Sequence, residues 1–349
     1  MSDAQPSHHI PVLLPEVLAG LAIKPGDVVA DMTFGAGGYT EALLAAGAKV
    51  LAFDRDGTAI AAGRKRFAAE LEGPDPNLRL IERSFEALAE EAARVVPDGL
   101  DAVVFDLGVS SMQLDRAERG FSFLREGPLD MRMGAGEETS LVSEFVHTAS
   151  ADDLKRVFWQ YGEEKRAGRL AAAIVHERAR APFQTTTALA AVAGAKRPQD
   201  KIHPATRMFQ ALRIFINDEL GQLIRALLGA EKVLKEGGRL AVVTFHSLED
   251  RIVKRFLSIT AGKAERTSRH MPAADGPAPS MALFSTKPQK AGKAEADDNP
   301  RARSAKLRLA RREAAPPIPW TADRLSALGA PSLVFSDLQR QWSGPWPAI

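Results

Sequence analysis

The sequence predicts an α/β fold whose sheet is mostly parallel and of the Rossmann type. Apolar runs alternate with helical patterns over residues 1–113, which is typical of β/α units and a parallel sheet. The first apolar run, Val28 to Ala30, leads into a glycine-rich turn that opens a helical pattern. A strand, a glycine turn and a helix in this order form the usual binding place for a nucleotide-like ligand.

The composition indicates a globular chain of two domains. With 349 residues, 45% of them hydrophobic, the chain can bury more than one core. No apolar run reaches the length of a bilayer span and residues 1–9 are polar, so we expect a cytoplasmic protein. The absence of cysteine excludes thiolate metal ligands and thiol nucleophiles, and no other motif demands a metal.

Three of the first four predicted strands end in aspartate. These strands are Val28 to Ala30, Val50 to Phe53, Leu78 to Ile81 and Asp101 to Phe105. The first, second and fourth are followed by Asp31, Asp54 and Asp106. Because the carboxyl ends of parallel strands meet at one edge of a sheet, we expect the three carboxylates to converge on one cleft. Coincidence is the alternative, since aspartate is common in turns and helix caps.

The glycine turn favours S-adenosylmethionine over a dinucleotide. Gly35, Gly37 and Gly38 let the backbone approach a ligand, and Asp31 places a negative charge beside them. A pyrophosphate gains nothing from that charge, whereas S-adenosylmethionine carries a sulfonium and an ammonium. Thr40 also stands where the dinucleotide fingerprint has its third glycine. A nicotinamide-dependent oxidoreductase is the rival enzyme class, and cofactor binding would separate the two.

Two further residues are expected to contact the cofactor. Asp54 lies seventeen residues after Gly37, where an acidic residue accepts hydrogen bonds from ribose hydroxyls. Phe85 follows the third strand, where an adenine ring would lie and could stack on it.

Helical patterns replace the β/α alternation over residues 114–204. We predict an inserted all-helical domain for substrate recognition, because it follows the fourth strand and so lies at the mouth of the cleft. Ser150 and Thr185 are its expected N-caps.

Residues 205–312 are predicted to complete the core. A long helical stretch from Ala205 to Lys235 precedes a fifth strand, Arg239 to Phe245, and a last strand lies within 304–312. Residues 261–299 are rich in Ala, Gly, Pro and Lys and are expected to be mobile. Residues 313–349 form a tail without an assigned role.

Motifs spread over about residues 8–312 carry a specific resemblance. They include Asp31-x-Thr-Phe-Gly-x-Gly-Gly, Asp106-Leu-Gly-Val-Ser-Ser, Gly127-Pro-Leu-Asp-Met-Arg, His203-Pro-Ala-Thr-Arg, Phe245-His-Ser-Leu-Glu-Asp-Arg and Asn299-Pro-Arg-Ala-Arg-Ser-Ala. Together they closely resemble the bacterial 16S ribosomal RNA cytosine-N4 methyltransferase family. The resemblance implies a class I S-adenosylmethionine-dependent methyltransferase, with a mostly parallel seven-stranded sheet and an inserted helical domain. Its expected substrate is the N4 amino group of a cytidine in the decoding region of 16S rRNA.

The resemblance also assigns cofactor positions. They fall on Gly37, Gly38, Tyr39, Asp54, Phe85, Asp106 and Gln113. The chain departs from the family pattern at Tyr39 and Met112, where histidine and proline are common. The backbone of Tyr39 can still contact the amino-acid end of the cofactor, so only a side-chain contact is in question.

Asp106 and His246 are the candidate catalytic residues. The N4 lone pair of cytosine is delocalised into the ring, so the amine needs an acceptor for its N–H, and Asp106 or the turn after it is placed to accept. His246, at the end of the fifth strand, invites a general-base role because imidazole titrates near neutrality. A structural role is the alternative for His246. Glu249 and Asp250 are expected to be helix N-terminal carboxylates.

Two basic clusters are candidates for contact with RNA. The first comprises Lys196, Arg197, Lys201, Arg207 and Arg213, and the second comprises Arg301, Arg303, Lys306, Arg308, Arg311 and Arg312. Phosphate contacts of this kind give salt-dependent affinity, and a solvated charged face is the alternative.

The expected partner is 16S rRNA in the small ribosomal subunit, with neither a membrane nor DNA, and a homodimer is left open. A non-catalytic ribosome-assembly factor and a methyltransferase acting on DNA or protein are the other readings.

Overall fold

The structure is a computed structural model that describes residues 11–109, 111–134, 141–196, 198, 202–263 and 276–331. The chain divides into two compact units, one formed by residues 1–108 and 222–329, the other by residues 109–221 and 330–349. The second unit includes the helix that starts at Ala205, whereas the sequence predicted that residues 205–312 belong to the core. A substrate-recognition role for residues 114–204 stays a proposal.

A seven-stranded sheet lies in the first unit. Its strands are β1 Val28–Asp31, β2 Lys49–Asp54, β3 Leu78–Glu82, β4 Leu100–Asp106, β5 Leu234–Thr244, β6 Met281–Leu283 and β7 Lys306–Arg312. The spatial order is β3-β2-β1-β4-β5-β7-β6; β1 to β5 pair in parallel, and β7 is antiparallel to both of its neighbours. The predicted mostly parallel sheet is confirmed. The chain order reverses between β1 and β4, so the ligand crevice of such a sheet lies beyond the ends of these two strands.

The described residues also form the helices α1 to α14. In chain order they are α1 Leu14–Leu21, α2 Gly38–Ala45, α3 Gly57–Arg66, α4 Leu88–Val95, α5 Ser111–Asp115, α6 Val142–Thr148, α7 Ala151–Gly162, α8 Ala167–Arg178, α9 Thr186–Val192, α10 Ala205–Ile216, α11 Glu219–Val233, α12 Ser247–Thr260, α13 Lys293–Asp298 and α14 Ala322–Ala327. The central strands are buried on both faces, as Val103, Val104 and Phe105 of β4 illustrate. This burial explains why they read as continuous apolar runs rather than as alternating patterns.

The second unit is helical in its described part, and its helix starts follow the predicted caps. Ser150 Oγ accepts a hydrogen bond from Asp153 N at the start of α7, and Thr185 Oγ1 accepts one from Ala188 N at the start of α9. Both predicted N-caps are therefore confirmed. Helices α7 and α10 pack closely at Gly162, where an added Cβ would lie 2.6 Å from the carbonyl oxygen of Arg207.

The long helical stretch predicted from Ala205 to Lys235 is wrong, because the structure has two helices there. Helix α10 ends at Ile216, and Asn217 is 1% exposed. The Asn217 side chain donates to Met131 O over 2.8 Å and accepts from Met133 N over 2.9 Å. Asp218 then takes a positive φ of 45°. The helix ends here because the side-chain amide of Asn217 hydrogen-bonds to the backbone of a loop that is distant in the sequence.

The segment expected to be mobile contains regular structure in its described residues 276–299. They include β6 and α13. The last predicted strand is confirmed as β7. Among the described residues, no helix is both long and apolar enough to span a membrane.

Candidate active site and cofactor cleft

Three aspartates lie at the carboxyl edge of adjacent strands in the first unit. Asp31, Asp54 and Asp106 end β1, β2 and β4, and these strands are neighbours in the order β2-β1-β4. The sequence prediction that the three carboxylates meet at one edge is confirmed by this order. They differ in what their oxygen atoms contact, and these contacts indicate different roles.

Asp31 holds the glycine loop together. Its side chain is buried, with 1% of the residue exposed. One oxygen accepts from Thr33 N over 3.1 Å and the other from Thr40 Oγ1 over 2.7 Å. Burial raises the pKa of Asp31, while the bonds from Thr40 and Thr33 oppose this shift. Both oxygens of Asp31 therefore accept hydrogen bonds from the glycine loop and the start of α2.

Asp54 connects the glycine loop to the start of α3. It accepts from Gly35 N over 2.8 Å and from Asp56 N over 2.9 Å. Burial raises its pKa to about 6, even though both backbone hydrogen bonds favour the ionised form. Each carboxylate oxygen has a second lone pair, so Asp54 can accept from ribose hydroxyls while it keeps these bonds.

Asp106 has a buried oxygen without a hydrogen-bond partner among the described residues. Its backbone N donates to Thr33 Oγ1 over 2.8 Å, whereas its Oδ1 is buried and receives no bond. Burial raises the pKa of Asp106 to about 8, the charges of Asp31 and Glu249 add to this shift, and Arg301 opposes it. An unpaired buried acceptor is costly, and it would be satisfied by a ligand that brings a positive charge or an N–H.

The glycine loop is too crowded for larger residues. Gly37 has a positive φ of 82°, and an added Cβ would lie 2.7 Å from the ring of Phe67. At Gly38, where α2 begins, an added Cβ would lie 2.3 Å from Pro11 Cγ. Pro11 therefore packs against this loop.

The Tyr39 side chain also contacts the segment before α1. Its hydroxyl donates to Val12 O, and its ring is buried. Burial raises the pKa of Tyr39 well above its ordinary value, and the nearest carboxylates, Asp106 and Asp31 foremost, add to this. The phenol is therefore neutral, and only its backbone remains for a ligand, as expected from the departure at this position.

These features fit S-adenosylmethionine. Three carboxyl groups and a buried unpartnered oxygen suit a ligand with a sulfonium and an ammonium, whereas the phosphates of a pyrophosphate would be repelled by any negative charge on them. Phe85 follows β3 half-buried and meets Phe105 edge-to-face at 6.1 Å between ring centroids. Its contact with adenine stays a prediction. Gln113 is buried and belongs to the second unit, so its cofactor contact stays a prediction.

His246 caps α12. Its Nδ1 accepts from Glu249 N over 3.3 Å, and the Glu249 side chain accepts from His246 N over 3.1 Å, which is a reciprocal capping box. His246 Nε2 is buried and lies 3.0 Å from Glu249 Oε1 without the alignment of a hydrogen bond. The structure thus gives His246 a structural role, and its catalytic role stays a prediction. Glu249 and Asp250 lie in the first turn of α12, as expected.

The first basic cluster is not one exposed surface. Arg213 is paired in bidentate fashion with Glu219, at 2.7 and 2.9 Å, and only 14% of its side chain is exposed. This pairing argues against Arg213 as a phosphate ligand. Lys196 is exposed, and Arg207 lies 4.0 Å from Glu164. Arg197 and Lys201 lie outside the described residues.

The second basic cluster is not one exposed surface either. Lys306 and Arg308 both bind Asp250, at 2.8 Å each. Arg312 is buried and donates to backbone carbonyls, among them Glu231 O. The expectation of one basic RNA-binding run is therefore wrong for this strand. Arg303 is exposed, and Arg301 contributes to the electrostatics of Asp106.

Comparison with known proteins places the chain in a family. The model of the MraW methylase family matches residues 6–313. The chain belongs to the MraW methylase family. A relative from Rhizobium johnstonii, named Ribosomal RNA small subunit methyltransferase H, is 56% identical over 306 residues, or 87% of each chain. Relatives of the same name from Rhizobium leguminosarum bv. trifolii and Agrobacterium fabrum are 54% and 53% identical and cover 94% and 90% of this chain and 93% and 90% of their own.

Family membership confirms the resemblance, the class I methyltransferase fold and S-adenosylmethionine as the cofactor. Sequence reasoning missed Thr33, which links the glycine loop to Asp106, and Gln222, which accepts from Ser84 Oγ over 2.8 Å. Thr33 lies two residues after Asp31, a predicted cofactor ligand, so its position close to the site could have been predicted from the sequence. Gln222 lies far away in the sequence and gave none.

Proposed function

We propose that the protein transfers the methyl group of S-adenosylmethionine to the N4 amino group of a cytidine in 16S rRNA. The observation that carries this proposal is the unpartnered Oδ1 of Asp106 at the switch point of the sheet. The names of the relatives support small-subunit ribosomal RNA as the substrate. The resemblance of the motifs supports cytosine N4.

The cleft residues would hold the cofactor by its charged and polar ends. The backbone N–H groups from Gly37 to Tyr39, at the start of α2, suit its carboxylate, and Asp54 suits the ribose hydroxyls. Asp31 and Asp106 provide negative charge for the ammonium and the sulfonium. When bound, S-adenosylmethionine supplies an activated methyl group.

Asp106 would act on the substrate as a hydrogen-bond acceptor. With a pKa of about 8 it holds a proton at neutral pH in the free protein, and a protonated oxygen is a poor acceptor. A cation in the cleft lowers this pKa and ionises the carboxylate. The ionised Asp106 can then accept an N–H of the N4 amine, which draws its lone pair out of conjugation and aligns it for attack.

His246 would support this geometry from the N-terminus of α12. A general base is not required, because the methylated amine loses its proton readily. Asp106 is therefore the residue proposed to contact the N4 amine directly. Variants of His246 test whether this residue also takes part in catalysis.

We further propose that the protein acts on the small ribosomal subunit in the cytoplasm. Arg301, Arg303, Lys196 and Arg207 are the described basic residues offered for RNA contact. The absence of a DNA substrate and the oligomeric state stay predictions.

The test is methyl transfer from labelled S-adenosylmethionine to small subunits that lack the modification, followed by digestion and identification of the labelled nucleoside. The proposal expects label in N4-methylcytidine. Label in protein or DNA would refute the assignment of rRNA as the substrate and would favour a methyltransferase that acts on protein or DNA. Cofactor binding with subunit binding but no labelled product would favour the non-catalytic assembly factor, and binding of a nicotinamide dinucleotide in its place would favour the oxidoreductase.

A further inference from the structure

Helix α7 of the second unit presents a tryptophan to solvent. Trp159 is 59% exposed. The core side of α7 is already filled by Leu154, Val157, Phe158 and Tyr161, each of them buried. Trp159 therefore does nothing for the packing of the described helices, and an exposed indole of this size calls for another explanation.

The turn of α7 before Trp159 carries two cations, whereas Glu163 is exposed one turn after it. Lys155 and Arg156 lie one helical turn before it on the same exposed side of α7. Neither has an ion pair or hydrogen bond among the described residues. The acidic residues of α7, Asp152 and Asp153, lie in its first turn, where they complement the helix dipole.

Helix α8 extends this charge. The Lys155 side chain passes beside Gly168 of α8, where an added Cβ would lie 3.8 Å from Lys155 Cδ. Next to Gly168, Arg169 is exposed, and so is Lys165, which lies two residues before α8 begins. We call Lys155, Arg156, Trp159, Lys165 and Arg169 the α7–α8 surface.

We propose that the α7–α8 surface binds unpaired ribosomal RNA, with Trp159 stacking on a base and the cations contacting phosphates. The proposal rests on the proposed function, which supplies RNA as the partner. An aromatic side chain among unpaired cations is the arrangement by which proteins hold single-stranded nucleic acid, because every base offers a π face. Phosphates complement the charge of the four cations.

The first arm of the test compares Trp159→Ala with Trp159→Phe in the full chain. Affinity for naked small-subunit rRNA is measured by filter binding, together with KM and kcat for methyl transfer. Since stacking contributes about 1–3 kcal/mol per base, we expect roughly tenfold weaker binding and higher KM for Trp159→Ala, with kcat unchanged. Trp159→Phe should recover most of the affinity. Leu124→Ala, which removes an 82% exposed side chain of the same unit, is the matched control.

The second arm compares two charge reversals. Lys155→Glu/Arg156→Glu is matched by Arg64→Glu/Lys65→Glu, an adjacent exposed pair on α3 that likewise lacks a described partner. Each lost phosphate contact lowers the slope of log K against log salt by about 0.7 for a single strand. We expect a decrease of about 1.4 for the α7 pair and none for the α3 pair.

The outcomes separate this proposal from the proposed function. If the unaltered protein neither binds rRNA nor methylates it, the proposed function fails. If it does both and the Trp159 and α7 variants match their controls, only the α7–α8 surface is refuted. Loss of binding to intact subunits with full binding to naked rRNA would assign the surface to a ribosomal protein and overturn the proposal. Thermal melting and S-adenosylmethionine affinity, both expected to be unchanged, exclude misfolding as the cause.

Discussion

The affinity for S-adenosylmethionine should rise with pH, and Asp106 should cause the rise. The pKa of Asp106 is raised to about 8 in the free protein, mainly by burial. A cationic ligand prefers the ionised carboxylate, so binding below pH 8 releases a proton. The sign follows from linkage: affinity increases with pH up to the pKa of the free protein and is flat above it.

The size of this effect follows from the charges. Two unit charges about 4 Å apart interact by about 4 kcal/mol at an effective dielectric constant of about 20, and one pKa unit corresponds to about 1.4 kcal/mol. The bound cofactor can therefore lower the pKa of Asp106 by more than about 1.5 units. Between pH 6.5 and 8.0 the affinity should then rise by up to about 16-fold, because the ionised fraction of Asp106 in the free protein rises from about 3% to about 50%.

Isothermal titration calorimetry at constant ionic strength measures both quantities. Buffers of different ionisation enthalpy report the protons released, expected to be close to one at pH 7 for the unaltered protein and close to zero for Asp106→Asn. Asp54→Asn is the matched control, because the pKa of Asp54 is about 6 and its effect falls at lower pH. S-adenosylhomocysteine, which lacks the sulfonium charge, should show a shallower slope. The same pH dependence in Asp106→Asn and the unaltered protein would refute the reasoning.

Three further perturbations have defined outcomes. His246→Ala removes the cap of α12 and should cost about 1 kcal/mol of stability in urea unfolding, whereas His246→Asn keeps a cap and should keep methyl transfer; loss of transfer in both, with cofactor affinity intact, would make the imidazole catalytic. Arg301→Gln should move the pH midpoint of cofactor binding upward, because Arg301 lowers the pKa of Asp106; an unchanged midpoint with weaker RNA binding would return Arg301 to the phosphate contacts alone. Glu231, which is fully buried, accepts from Ile318 N and Trp320 Nε1 over 2.9 and 2.8 Å, so Glu231→Leu should destabilise the fold by about 3 kcal/mol; an unchanged unfolding midpoint would contradict this.

Local signals predicted the sheet and the aspartates well. The buried strands read as apolar runs, and the caps Ser150 and Thr185 mark the helix starts through their own hydroxyls. Asp31 and Asp54 could be placed because the end of a parallel strand has a known position in the sheet. These features depend on residues close in sequence or on the topology of the fold class.

The errors arose where a distant contact decides the structure. Asn217 ends a helix because a loop some eighty residues earlier uses its amide. Arg213 reads as a surface cation until its pairing with Glu219 is seen, and Lys306 and Arg308 are bound by Asp250. Periodicity gives the faces of a helix, and only the fold decides which face is covered.

The central claim is that the Asp106 carboxylate accepts a hydrogen bond from the N4 amine of cytidine before this amine is methylated. Its most direct test is the single-turnover rate of methyl transfer to rRNA at saturating S-adenosylmethionine, for Asp106→Asn against the unaltered protein. The account predicts a rate at least about 100-fold lower, the usual cost of losing one such contact, at cofactor concentrations that saturate each protein. An unchanged rate in Asp106→Asn would contradict the claim.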